Sequence, residues 1–155
     1  MNFYETEIVK FERRIKRIEE KPDPSKLRSN KLLYELERDS NIARLQAWKD
    51  GKPFADGLLA PLLKAMGFEL LLAGEAADKS QLAMDHFDTV RALGLPEHAC
   101  DRTTIAIAMC TRKELPPPSL VISTNAACDP LKLAYNTLGR MFDAPVACLD
   151  IGLEA

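Results

Sequence analysis

The chain has 155 residues, enough for one substantial core and short for two full-sized domains. Its formal net charge of −2 gives no pointer to nucleic acid or an anionic membrane surface as a partner, and neither is expected. No apolar run reaches the length of a membrane span, and the N-terminus is charged where a signal peptide would be apolar, so a cytoplasmic protein is expected. Four cysteines, Cys100, Cys110, Cys128 and Cys148, are many for that compartment, where metal or redox use is a commoner reason for thiols than disulfides.

From Glu5 to Glu20 the apolar residues Ile8, Phe11, Ile15 and Ile18 step by three and four among charges, which predicts an amphipathic helix. Pro22 and Pro24 stop it. Ser25 is placed to cap a second helix to about Lys49, with Leu32, Leu33, Leu36, Ala43 and Ala47 inward. Residues 1–50 thus read as a helical hairpin, an arm that packs on the remainder or on a partner.

Gly51-Lys52-Pro53 ends that pattern, and residues 51–155 alternate apolar runs with helical segments. Phe54-Ala55 suggests a brief strand, Leu58 to Met66 a short helix with Pro61 in its first turn and Gly67 behind it, and Phe68 to Ala73 a strand. A helix is expected from about Ala77 to Leu93, with Ala83, Phe87 and Val90 inward and His86 outward. Arg102 to Arg112 follows as a helix with Ile105, Ala108 and Met109 inside.

Leu120 to Ile122 reads as a strand buried on both faces, with the polar Ser123-Thr124-Asn125 at its carboxyl end and Ser123 and Asn125 as loop contacts. Asp129-Pro130 then starts a helix to Phe142, its face built from Leu131, Ala134, Leu138 and Met141. Val146 to Ile151 is a further buried strand, with Cys148 in the core, while Cys110 serves packing. Cys100 and Cys128 both occur as Ala-Cys-Asp directly before a helix whose expected cap is the aspartate. Two thiols would then stand at helix starts, where the partial positive charge of the helix end favours thiolates. The order of elements predicts an α/β fold: a helical hairpin packed on a small, mainly parallel, flavodoxin-like three-layer sheet domain.

Several stretches together resemble the N-terminal part of a subunit of the 2-hydroxyacyl-CoA dehydratase and benzoyl-CoA reductase family. They are Gly57 to Gly67, the His98-Ala99-Cys100 turn with its helix, Pro118 to Asp129, and Phe142 to Asp150. The most specific part is Asn125-x-x-Cys128 after a buried strand, then a helix, then Pro145-Val146 and a strand ending in Asp150. The resemblance implies a heterodimeric enzyme of anaerobes acting on an acyl-CoA, with a [4Fe-4S] cluster in each subunit and an ATP-dependent iron–sulfur activator that supplies one electron. It places Cys100 and Cys128 at two of the three cluster ligands. The third family cysteine belongs to a later domain, so a second subunit or a C-terminal domain would complete the site, and this chain reads as a subunit or N-terminal fragment. Pro61 stands where the family carries a glutamate near the substrate, which favours an electron-relay role over acid–base work. Two other readings stand beside it. One is a non-catalytic assembly or binding module that keeps the fold; the other is a flavodoxin-like domain holding a phosphorylated ligand at its strand ends.

Overall fold

A computed structural model describes the chain apart from residues 24, 26, 28, 81, 82, 97, 98, 151 and 153–155, and gives only the backbone of 83 and 84. Pro24, His98, Ile151 and the Ala83 side chain therefore lie outside the described residues. The chain divides into two compact units, Met1–Gly51 and Lys52–Ala155.

The first unit is a pair of helices. In α1 (Phe3–Glu20), Asn2 is the cap: its Oδ1 accepts the Glu5 amide at 2.9 Å, and its own amide donates to Glu5 Oε2 at 2.9 Å. Tyr4, Glu7, Phe11 and Ile15 form the buried face, with Glu7 neutralised by Lys10 at 2.7 Å. In α2 (Ser29–Lys49) the expected inward leucines are outside: Leu32, Leu33 and Leu36 are 57%, 53% and 58% exposed, and Ala43 is exposed too. The interface turns instead on Tyr34, Asn41 and Trp48, spaced by seven. Tyr34 meets Phe11 at 5.9 Å and Trp48 meets Tyr4 at 6.3 Å between ring centroids, while Lys31 bridges to Glu19 at 2.7 Å. Large aromatic rings outweigh the leucines in setting the rotation of α2 about its axis. Ser25 does not cap α2; its amide and hydroxyl both donate to Asp23 Oδ1.

The second unit contains β1 (Phe54–Gly57), α3 (Ala60–Ala65), β2 (Glu69–Leu70), α4 (Ala73–Lys79), α5 (Ala83–Ala92), α6 (Asp101–Thr111), β3 (Leu120–Thr124), α7 (Asp129–Phe142) and β4 (Val146–Leu149). The strands form one parallel sheet in the order β2-β1-β3-β4. Because β1 leads outward to β2 and β3 leads outward to β4, the chain reverses direction across the sheet between β1 and β3. One sheet face presents Ala55 and Ile122, covered by Leu63 of α3. The opposite face presents Asp56, Val121 and Val146 in register, and α7 lies against it: a Cβ on Gly139 would fall 2.1 Å from Val146 Cγ2. The result is an α/β unit with helices on both sheet faces, and the N-terminal helical pair is a unit of its own.

Several boundaries differ from expectation for local reasons. The strand expected over 68–73 is only Glu69–Leu70, because Leu72 is left-handed (φ 53°) and turns the chain directly into α4. The single helix expected over 77–93 is two, divided at the extended Ser80. Burial of Ala73, Ala76 and Ala77 fixes α4 against α6, which leaves α5 to follow its own direction. His86 is not outward. It is fully buried, its Nε2 2.8 Å from Glu114 Oε2, and Arg112 closes the cluster through Glu114 Oε1 and the Asp85 carbonyl.

Helix α6 is buried from Thr103 to Cys110 and packs on α4, α5 and α7. In α7 the buried residues are Ala134, Tyr135, Leu138 and Gly139; Met141 is exposed. Cys148 is exposed rather than core, because β4 is the edge strand and only Ala147 in it is even half-buried. Among the described residues no helix is long and apolar enough to cross a membrane.

Candidate functional site

The carboxyl ends of β1 and β3, where the chain direction reverses, are where open α/β sheets form their crevice. The geometry there begins with Gly57. Its φ of +133° and the 1.9 Å that would separate an added Cβ from the Ile122 carbonyl oxygen admit no side chain. Leu58 then donates its amide to the same oxygen at 3.1 Å, so β1 ends hard against β3.

One residue earlier, Asp56 points to the α6 and α7 face and is buried. Its Oδ1 accepts the Ala73 amide at the start of α4, at 3.2 Å. Burial pushes the Asp56 carboxyl up to about 6 from its ordinary 3.8; the Ala73 and Gly57 amides and the Arg102 charge pull the other way, and Glu75 adds to the rise. Across the opening, Arg102 Nε donates to the Gly74 carbonyl at 3.2 Å and lies 3.1 Å from Asp78 Oδ2, which ties the first turn of α6 to α4.

Between these groups is a cleft of about 200 Å³, with Asp56, Glu75, Arg102, Thr103 and Tyr135 as its polar lining and Leu72 and Leu131 among its apolar walls. Tyr135 is 7% exposed, and its hydroxyl has no hydrogen-bond partner among the described residues. Burial raises the Tyr135 pKa, Asp56 and Cys128 add to the rise, and Arg102 opposes it. The Cys128 end of α7 is thus within electrostatic reach of the same cleft.

Cys100 and Cys128 are themselves the caps of α6 and α7; Asp101 and Asp129 are the first helical residues, contrary to expectation. Neither thiol makes a capping bond, and both are exposed. Their carbonyls carry the first turns. Cys100 O accepts the Thr103 amide at 2.9 Å and the Thr103 hydroxyl at 2.7 Å, and Cys128 O accepts the Leu131 and Lys132 amides at 3.1 Å. Since α6 and α7 pack on each other, the two thiols start neighbouring helices.

The remaining residues named from sequence divide. Asn125 is exposed beyond β3 and donates through Nδ2 to Asp150 Oδ1. Ser123 is not a loop contact: it lies buried inside β3, in register with Cys148. Cys110 is buried, which pushes its thiol far up and leaves it inert as a ligand. Two exposed thiols suit iron chemically, but among the described residues no three His, Cys, Asp or Glu side chains are grouped to hold a metal. The donor set is therefore partial, and ligands beyond Cys100 and Cys128 would have to come from elsewhere.

Asp56, Arg102 and Tyr135 were not singled out by sequence reasoning. The available signal was the Asp-Gly pair closing the Phe54-Ala55 run, a polar residue at a strand's carboxyl end. No protein-family model matches the chain. No curated protein is significantly similar to it.

Proposed function

We propose that this chain is a cluster-binding, electron-relay part of an iron–sulfur enzyme of the 2-hydroxyacyl-CoA dehydratase or benzoyl-CoA reductase type. Cys100 and Cys128 supply two thiolates, and a second subunit or C-terminal domain supplies the rest of a [4Fe-4S] site. The observation that carries this reading is the pair of exposed free thiols, neither making a capping bond, at the N-caps of two helices packed on each other. A bound cluster of this kind supplies one-electron transfer at low potential. The protein's own part is to hold the thiols. Each stands at a helix N-terminus, and the Thr103 hydroxyl bonded to Cys100 O stiffens the turn that presents the first. The acyl-CoA substrate, the ATP-dependent activator and a cytoplasmic location belong to the same reading.

A second reading, a non-catalytic assembly module, is favoured by exposed Leu32, Leu33 and Leu36 on α2, an apolar strip suited to docking. Iron and acid-labile sulfide per chain after anaerobic reconstitution separate the two. Under the first reading, uptake is seen with wild type, alone or with its co-purifying partner, and collapses in both Cys100→Ser and Cys128→Ser. No iron under any of these conditions, with both variants folded normally, overturns it and leaves the assembly module.

A further inference from the structure

The cleft at the end of β1 holds polar groups that cluster ligation leaves unused. The pointers are the buried Asp56 carboxyl and Tyr135, which line the cleft together; the Tyr135 hydroxyl makes no hydrogen bond to another described residue. A hydroxyl that opens onto a cleft can exchange its water partners for a bound molecule.

Charge decides what kind of molecule that is. Asp56 already takes the Ala73 amide, the donor that an incoming anion would seek, and places a buried carboxyl at that spot. Glu75 lines the cleft and Asp78 flanks it, while the cation Arg102 is committed through Nε to the Gly74 carbonyl and to Asp78. A phosphate or carboxylate would meet these acids with one engaged arginine to offset them, so the phosphorylated ligand expected of a flavodoxin-like domain does not suit this crevice. Apart from Thr103, whose hydroxyl donates to Cys100 O, the remaining walls are apolar, with Leu58, Leu72, Leu131 and Leu138 among them.

We infer that this cleft binds a small primary amine with a short aliphatic body, its ammonium group donating to the Asp56 carboxylate and the Tyr135 oxygen and its chain lying on the leucines. The site goes beyond the cluster reading and is independent of it, so it is tested on metal-free protein.

Butylamine, butanol, butyrate and inorganic phosphate are titrated separately into the full chain at pH 7.5, with binding followed by ligand-observed NMR. Butylamine should bind about ten-fold more tightly than butanol, since only it forms a charge-assisted bond, and neither anion should bind. Tyr135→Phe should weaken butylamine about five-fold, the loss of one hydrogen bond. Asp56→Asn should weaken it by about ten-fold or more. Leu131→Trp should abolish binding by filling the space. If Asp56→Asn fails to fold by circular dichroism, the other two variants decide. The inference is overturned if butylamine does not bind at millimolar concentration, if butyrate or phosphate binds more tightly, or if the folded variants bind butylamine as wild type does.

Discussion

The two faces of the sheet are built by opposite means. Toward α3 the layer is thin and mainly apolar: Ala55, Ile122 and Leu63 close on one another, with Thr124, two residues on from Ile122 in β3, as a buried polar residue, while Leu62 of this short helix and Met66 at its C-cap remain 47% and 56% exposed. Toward α6 and α7 the cover is deep, yet it admits Asp56, Ser123, Thr103 and Thr104 as buried polar residues. The difference teaches where this fold accommodates most of its buried polar groups. An apolar layer gains stability in proportion to the area it removes from water, whereas a buried carboxyl costs stability and persists where it has a chemical use.

Three substitutions sharpen the contrast, taken from the largest expected effect. Gly57 lies at the border between the faces, and Gly57→Ala drives a Cβ into the Ile122 carbonyl. A loss of about 4 kcal/mol or more, seen as failure to fold or a collapsed urea midpoint, is expected. Leu63→Ala opens a cavity under the thin face, where the fully buried side chain is the only one α3 buries among the described residues. Urea unfolding should register about 3 kcal/mol.

Asp56→Asn acts in the opposite sense. In the fold its carboxyl holds a proton up to about pH 6, against 3.8 for the ordinary group, so protonation favours the folded state. The stability that the protonated form supports is complete below about pH 4, declines between about 4 and 6, and is absent above. The variant should therefore unfold at higher urea than wild type at pH 7.5, by about 1 kcal/mol, and match it near pH 4. That gain stays below the roughly 3 kcal/mol that a two-unit shift represents, because the new amide brings donors of its own to bury.

Much of this arrangement was legible in the residues. Asp129-Pro130 marked the start of α7, Gly67 the end of α3, and the run Leu120 to Ile122 the central strand, because capping chemistry and continuous apolar runs act locally. Cys100 and Cys128 were legible for the same reason, as residues beside helix starts. What could not be read depends on partners distant in sequence. Cys148 looks like core until β4 is known to be an edge, and His86 looks like a surface residue until Glu114 arrives 28 positions later. Tyr34 and Trp48 won the hairpin interface over three leucines through contacts with Phe11 and Tyr4 that no local pattern encodes. Asp56 was hidden because an Asp-Gly pair reads first as a turn.

The pairing of β1 with β3 also governs the order in which the chain can fold. Ala55 finds Leu120 only about 65 residues further on, so the central ladder closes a long loop whose entropic cost precedes any reward. During synthesis β1 can pair first with β2 alone, a contact of two residues that supports little by itself. The sheet therefore waits for Leu120 to Thr124 to emerge, and until then Phe54 and Ala55 are exposed apolar residues without their central neighbour. Folding of the second unit is expected to be late and cooperative, gated by the arrival of β3, whereas the helical pair, whose contacts span fewer residues, can assemble as soon as Trp48 leaves the ribosome.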